Sequence, residues 1–263
     1  MTDLSISIVN YNSRADLIGC LESIKAQGQS PAGTVPICVI DNASTESIRD
    51  LEEKYKWVDF VYNKTNIGFG AANNIALKKA STKYFLICNP DIRFKDGTIE
   101  SLTGYMDAHE DIAISGPKLV NEDGTLQYSC RRFPTLATFL ARGLFPGKKP
   151  KFMRDYMMMD ADHSKPMDVD WVLGSFMLAR RDALAKLGGF DESHFMYYED
   201  IDLCYRVKRA GLRVVYAPQA EAVHTYKRES AQGLFNRLKF HHAINAMKFF
   251  ARYIGERKWR TVI

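Results

Sequence analysis

The side chains in this chain best suited to chemistry are a few carboxylates, amides and one imidazole that follow short apolar runs. Glu199 and Asp200 come directly after the aromatic-rich segment His194-Phe195-Met196-Tyr197-Tyr198 and open a helical pattern. Their charge suits a helix N-terminus, which explains acidic residues at many helices. Adjacent carboxylates also repel, and burial among aromatics would raise the proton affinity of one of them, as a general base working near neutral pH requires. Asp91 ends the apolar run Tyr84–Cys88 with Pro90 fixing the backbone before it. A carboxylate so placed either caps a turn or offers oxygen to a hard cation. His224 is a structural histidine or the partner that completes a metal site begun by Asp91. Lys227 and Arg228 beside it suit an anionic leaving group.

These groups need a scaffold, and the apolar pattern supplies one. Runs at Leu4 to Val9, Ile37 to Ile40, Phe60 to Tyr62 and Tyr84 to Cys88 are each followed by turn-forming residues and then a helix-like stretch. This alternation predicts an α/β fold, a Rossmann-like mostly parallel central sheet flanked by helices over 14–27, 46–56 and 70–80. Ser13 and Ser44 are candidate caps. Ligands of such sheets bind beyond the carboxyl ends of the strands. Four polar sets fall there: Asn10, Tyr11 and Asn12; Asp41 and Asn42; 63–70; and Asn89 to Asp91. The stretch Asn66-Ile67-Gly68-Phe69-Gly70-Ala71-Ala72-Asn73 is either a structural turn or a phosphate cradle of backbone N–H groups. It is not a dinucleotide fingerprint, because Asn73 occupies the third glycine position.

Beyond Pro117 the pattern loosens. Residues 131–163, with Pro134, Pro146, Pro150 and the basic residues Lys148, Lys149 and Lys151, read as a long loop or mobile flap, either a functional lid or an insertion. An apolar strand interrupted by Gly174 and Ser175 follows over 169–179, then a helix over 199–210 and a strand over 213–216, whose apolar run continues to Val223, broken by Pro218, with His224 after it. Residues 233–254 mix Leu, Phe, Ile and Met with Arg and Lys at helical spacing, giving a basic amphipathic helix that lies on an anionic membrane or packs on the body.

The composition excludes several classes. At 263 residues with 46% hydrophobic and 25% charged, the chain suits one large domain or two fused ones, not a disordered or fibrous protein. Lys and Arg number 36 against 31 Asp and Glu, yet nine basic and two acidic residues follow Thr225. A surplus confined to one tail points to a local anionic partner. Five cysteines without close pairs argue against a disulfide scaffold or zinc site. No secretory signal and no long apolar span are present, so a cytoplasmic, non-spanning protein is expected.

In order, VNYN, IDNAS, NIGFGAANN, NPD, LGSFML, GGFDESHFMYYED and AEAVH resemble glycosyltransferase family 2, and most of all its bacterial rhamnosyltransferase branch. The resemblance runs from about Ser5 to Ser230. It implies a GT-A catalytic domain over 1–230, with a nucleotide-binding half at 1–115 and an acceptor-binding half at 116–230, followed by the helical tail at 231–263. It further implies transfer, with inversion, of a sugar, expected to be L-rhamnose from dTDP-rhamnose, to a hydroxyl of a glycan or polyprenyl-diphosphate-linked acceptor.

Position by position, Tyr11 and Asp41 would contact the pyrimidine by stacking and by a hydrogen bond to its imide N–H, and Asn12, Asn66, Gly68 and Asn73 would line the donor pocket. Asn89 and Asp91 correspond to the D-x-D element, with Asp91 and His224 holding Mg²⁺ or Mn²⁺ on the diphosphate and Lys227 and Arg228 nearby. Asp200 would be the base, Glu199 its orienting neighbour, and Trp171, Gly174 and Ser175 would border sugar and acceptor. Asn89 in place of the first aspartate leaves one carboxylate at that element, which weakens metal affinity and fits the rhamnosyltransferase-like form. A sugar nucleotidyltransferase is less consistent, since VNYNSRADL lacks a glycine-rich basic loop. A nucleic-acid-binding module using the tail leaves the Glu199–Asp200 pair without a role, so no nucleic-acid partner is expected.

Overall fold

The structure, a computed structural model, describes residues 3–28, 35–144, 149–225 and 237–253. Strand alternation builds two hydrophobic faces. In β1 (Leu4–Asn10), Leu4, Ile6 and Ile8 join one core and Val9 the other, and in β4 (Tyr84–Cys88), Tyr84, Leu86 and Cys88 oppose Phe85 and Ile87. Side chains of successive strand residues point to opposite faces, so runs apolar at nearly every position must be covered on both sides. The first face is covered by α1 (Arg14–Ala26) and α4 (Thr98–Asp107) through Leu17, Leu21, Ile24, Ile99 and Leu102. The second is covered by α3 (Phe69–Lys79), α7 (Arg181–Lys186) and α8 (Glu199–Arg209) through Ala72, Ala76, Leu184 and Ile201.

The main sheet runs β3-β2-β1-β4-β11-β6-β12-β5, where β2 is Ile37–Asp41, β3 Val58–Tyr62, β5 Ile92–Phe94, β6 Ile112–Val120, β11 Phe176–Arg180 and β12 Arg213–His224. The first four strands are parallel, and the order reverses between β1 and β4, the switch point at which open sheets bind ligands. β11 is antiparallel to β4 with Phe176 opposite Cys88, so the turn preceding β11 meets the end of β4. β12 is antiparallel to β5 with His224 opposite Ile92, which brings its last residue beside Asp91. Two short strands, β7 (Leu126–Gln127) and β9 (Met167–Asp168), pair with β6 and β12. β8 (Cys130–Arg131) and β10 (Trp171–Val172) form a separate ladder.

Several expectations change. The helix expected over 46–56 shortens to α2 (Leu51–Lys54), because side chains claim the preceding backbone: Asn12 Oδ1 accepts from the Thr45 N–H and Arg14 donates to the Ser47 carbonyl. The expected flap at 131–163 contains α5 (Leu136–Leu144) and α6 (Lys151–Tyr156), the latter entered through Pro150, whose fixed φ suits a helix start. The single strand over 169–179 is two, since residues 173–175 turn the chain from one sheet to the other. The last strand runs to His224, with an irregularity between Ala217 and Glu221 at the expected break, where Pro218 cannot donate to the ladder. Ser13 does not cap α1 with its side chain but donates to the Tyr11 carbonyl, and Ser44 serves Asp41. All five cysteines are free and buried.

The tail contains α9 (Arg237–Tyr253), which packs onto the body. Phe249 and Tyr253 stack against Tyr205 of α8, Asn245 donates to the carbonyls of Met196 and Tyr197, and Arg252 pairs with Asp191. No helix among the described residues is long and apolar enough to cross a membrane.

Candidate functional site

The loops after β1 and β2 are fastened to each other around Asp41. Its Oδ1 accepts from Asn10 Nδ2 (2.8 Å) and Ser44 Oγ (2.6 Å), and its Oδ2 accepts only the Ser44 N–H (3.2 Å). A carboxylate oxygen accepts more than one bond, so Oδ2 retains capacity for an imide N–H. Beside it opens a cleft of about 400 Å³ lined by Asp41, Ser44, Arg49, Tyr62 and Lys64. Tyr11 is 46% exposed, leaving a ring face free for stacking. Asn12 binds Thr45 through both its N–H and its hydroxyl, so it shapes this rim and has φ of 53°.

The glycine-rich stretch is a structural turn. Its N–H groups are spent internally: Ile67 donates to Asn42 Oδ1, Gly68 to Asn66 Oδ1 and Phe69 to the Phe195 carbonyl. The phosphate-cradle reading is therefore overturned for these three. Asn66 locks the turn by also accepting from Asn42. Asn73 is fully buried, accepting from Ser7 Oγ (2.7 Å) and donating to the Phe69 carbonyl (3.0 Å), which ties α3 to β1 and removes it from the donor pocket. Gly68 has φ of 90°, and a Cβ there would lie 2.3 Å from the Phe195 carbonyl oxygen. Gly68→Ala accordingly costs about 3 kcal/mol or more, from left-handed strain plus a clash with backbone that has nowhere to go, measurable by urea unfolding. A loss under about 1 kcal/mol, within the range of ordinary substitutions, would show that the turn yields.

At the end of β4, the Asn89 N–H donates to the Ser175 carbonyl (2.9 Å). Asp91 Oδ2 lies 3.4 Å from His224 Nε2, and Asp91 Oδ1 is buried without a hydrogen-bond partner. Gln127 fixes the ring. Its Nε2 donates to the His224 carbonyl (2.8 Å) and to Asn121 Oδ1 (2.6 Å), so its Oε1 must accept the His224 Nδ1 proton at 2.9 Å. In its neutral form, with the proton on Nδ1, the ring would turn the Nε2 lone pair toward a carboxylate oxygen, the pattern of a cation site whose tautomer is fixed from behind. The expected Asp91 and His224 therefore fit a divalent cation. Lys227 and Arg228 lie outside the described residues.

A second group, Asp191, His194 and Asp202, brings ligand atoms within 4.8 Å of one another. Its cations are already present: Arg252 contacts Asp191 and Asp202, Arg206 pairs with Asp202 at 2.7 Å, and Tyr253 donates to Asp202. This group anchors α9 to α8.

The turn at 173–176 joins the cation pair to the acidic pair. Its Ser175 carbonyl holds Asn89, and its Gly174 N–H donates to Asp200 Oδ2 (3.1 Å). Asp200 Oδ1 accepts the Ile201 N–H (2.8 Å), so each oxygen has one backbone donor and a lone pair to spare. Tyr197 and Tyr198 both have positive φ, 68° and 73°, immediately before the pair. Left-handed strain in two consecutive aromatic residues is held by packing, with Tyr198 wedged against Phe249 and His242, and it fixes the entry of the chain into α8. Trp171 is corrected as an acceptor contact: it is 4% exposed, and its indole N–H donates to the Arg132 carbonyl. Ser175 is also buried, its Oγ without a partner.

Burial raises the Glu199 carboxyl well above the usual range, with the charge of Asp200 adding to the effect. Asp200 is raised too, by burial, against the pull of the Gly174 and Ile201 N–H groups and of Arg131. Glu199 is 7% exposed and its Oε2 has no partner among the described residues, so its carboxylate form is disfavoured, whereas two backbone N–H groups favour that form at Asp200. A folded chain that holds the Glu199 proton after the unfolded chain has released it loses stability as pH rises from the ordinary carboxyl range toward the raised folded value. Glu199→Gln removes that slope. Its melting temperature gains on the wild type as pH rises above the ordinary carboxyl range, by about 2–4 °C for each kcal/mol relieved. Parallel melting curves against pH would show that Glu199 is not the group responsible.

Gln127 and Arg131 are functional candidates that sequence reasoning does not single out. Gln127 and His224 are far apart in the chain and meet only because β7 and β12 both pair with β6, and no local spacing signals that.

A doubly covered sheet with polar loops at its switch point, a cation pair and a buried acidic pair across one turn define a nucleotide-dependent transferase site. Residues 5–188 match the family model "Glycosyl transferase family 2", and the chain belongs to that family; residues 143–261 also match "Glycosyl transferase family group 2". The chain is 29% identical to rhamnosyltransferase WbbL of Escherichia coli over 94% of its own length and 92% of the relative's. It is 28% identical to the N-acetylglucosaminyl-diphospho-decaprenol L-rhamnosyltransferase of Mycobacterium tuberculosis over 99% and 88%. Its fold, GT-A, is shared with GalNAc-T7 solved with UDP, GalNAc and Mn²⁺ (TM-score 0.67, 16% identity, 94% of this chain and 48% of that one). It is also shared with the mannosyltransferase PcManGT of Pyrobaculum calidifontis solved with GDP-Man and Mn²⁺ (TM-score 0.64, 18% identity, 97% and 65%). The chain thus spans about half and about two thirds of those two structures.

Proposed function

We propose that this family 2 glycosyltransferase transfers L-rhamnose from dTDP-rhamnose, with inversion, to a hydroxyl of a polyprenyl-diphosphate-linked sugar in cell-surface polysaccharide synthesis. The observation that carries the mechanism is the 173–176 turn, which holds Asn89 on one side and the carboxylate of Asp200 on the other. Asp200 takes the proton of the acceptor hydroxyl. The freed oxygen attacks the anomeric carbon from the face opposite the nucleotide, the new C–O bond forms, and the bond to the nucleoside diphosphate breaks with its electrons leaving on the diphosphate. Asp41 and Tyr11 orient the base, and Asp91 with His224 would hold Mg²⁺ or Mn²⁺. A divalent cation there offsets the charge that develops on the departing diphosphate.

The choice of rhamnose and of a lipid-linked acceptor rests on the similarity to the two rhamnosyltransferases. Contact with the inner face of the cell membrane is supported by exposed Leu136, Leu140 and Phe152 on α5 and α6 and Phe240 and Met247 on α9. α5 and α9 meet through Phe139 with His242 and Phe250. Apolar side chains beside Lys149, Lys151 and Lys248 suit an anionic lipid surface. The test is transfer from dTDP-rhamnose, UDP-glucose, UDP-N-acetylglucosamine and GDP-mannose to a short-chain alkyl-diphospho-N-acetylglucosamine, with Mg²⁺ or Mn²⁺. Product from dTDP-rhamnose in clear excess supports the reading, and product only from another donor overturns it.

A further inference from the structure

We propose that Arg131 binds a phosphate oxygen of the acceptor while the acceptor's hydroxyl faces Asp200. This rests on the reading of the acceptor as a sugar diphosphate. Among the described residues no carboxylate lies within ion-pair distance of Arg131. Its Nε is buried without an acceptor, and its one hydrogen bond is a long one, 3.4 Å, to the Tyr128 carbonyl. Arg206, Arg213 and Arg252, by contrast, each pair with carboxylates. Arg131 is half-buried, so its fork is partly desolvated yet still open to an incoming group, and an anionic ligand would supply the acceptor that its Nε lacks.

The side chain is also rigidly placed. It lies over the rings of Tyr156 (5.8 Å) and Trp171 (5.4 Å), and Trp171 is itself pinned by its indole N–H. Aromatic faces orient a guanidinium without using its hydrogen-bond donors, so the fork stays available to oxygen ligands.

Its position selects the acceptor over the donor. Arg131 stands opposite Trp171 in the β8–β10 ladder, and three residues beyond Trp171 the Gly174 N–H holds Asp200. Its charge reaches Asp200, drawing that carboxyl down against burial. The same stretch of chain begins at Gln127, on His224, and four extended residues cover about 13 Å. One end therefore serves the cation pair expected to face the donor diphosphate, and the other serves the base. An acceptor whose hydroxyl meets Asp200 and whose anomeric diphosphate lies across its ring would present phosphate to Arg131.

The test compares wild type, Arg131→Gln and Arg131→Lys with octyl-diphospho-N-acetylglucosamine and with neutral octyl N-acetylglucosaminide as acceptors. We expect kcat/KM for the diphosphate acceptor to fall at least about tenfold in Arg131→Gln, as for loss of a charge-assisted pair, and to recover in part in Arg131→Lys. Donor KM should stay unchanged, and the rate with the neutral acceptor, which reads only the influence of Arg131 on Asp200, should fall clearly less than the rate with the diphosphate acceptor. A matching rise in donor KM with both acceptors would assign Arg131 to the donor diphosphate and overturn the proposal. An equal loss with both acceptors, accompanied by a shifted pH profile, would make it a positioning residue for Asp200 and overturn it too. If wild type uses neither acceptor, the functional reading fails, and Arg131 is judged by binding of octyl diphosphate to the nucleotide-saturated enzyme. Tighter binding by wild type than by Arg131→Gln supports the site, and equal binding rejects it.

Discussion

In Asp200→Asn, turnover falls at least about a hundredfold, the low end for loss of a general base, while affinity for the nucleoside diphosphate is retained. Both carboxylate oxygens accept backbone N–H groups, from Gly174 and Ile201, and an amide satisfies only one of them. The variant therefore also loses about 1–3 kcal/mol of stability, the cost of a buried donor without an acceptor. Single-turnover measurement at saturating donor, with the melting temperature as a folding control, separates the two effects. A folded variant with near-normal turnover would remove Asp200 from the role of base. Glu199→Gln behaves in the opposite way in stability, since burial raises the Glu199 carboxyl and an amide in its place carries no charge to desolvate as pH rises.

The second large effect falls on the other side of the turn. Asp91→Asn weakens cation-dependent binding of dTDP at least about tenfold, since a neutral amide replaces the one carboxylate that faces His224 Nε2. In the presence of a chelator, wild type and variant bind dTDP alike. Calorimetric titration of dTDP with Mn²⁺ and with the chelator reads both arms. If Mn²⁺ has no effect on wild type, or the same effect on Asp91→Asn, the pair does not hold the cation. Replacing Gln127 by Leu tests the support of the same site, because the ring of His224 loses the acceptor that sets its tautomer.

The parallel half of the fold was legible because its strands are short apolar runs covered on both faces, and polar residues fall where each run stops. The same logic misjudged the helix at 46–56, where the Arg14 guanidinium takes the Ser47 carbonyl and the Ser47 hydroxyl accepts the Arg49 N–H, backbone groups that helical hydrogen bonding would otherwise use. It placed Asn73 in the donor pocket from its position in a motif, whereas the helical turn from Phe69 carries that side chain inward to Ser7. The resemblance likewise put Trp171 beside sugar and acceptor, whereas its two-residue strand joins the separate β8–β10 ladder and buries the ring.

What the chain determines by itself is the set of reactive groups and the strand ends that carry them, since period-two alternation and turn-forming residues act locally. The acidic pair at the start of α8, the aspartate after β4 and the histidine at the end of β12 follow from spacing of that kind. Only the tertiary structure decides that these groups meet. The antiparallel insertion of β11 beside β4 puts one turn between Asn89 and Asp200, and the return of β12 along β5 sets His224 against Asp91. Whether a carboxyl is a base, a protonated neighbour or an anchor likewise depends on burial and on the charges around it, quantities that arise only when distant segments pack together.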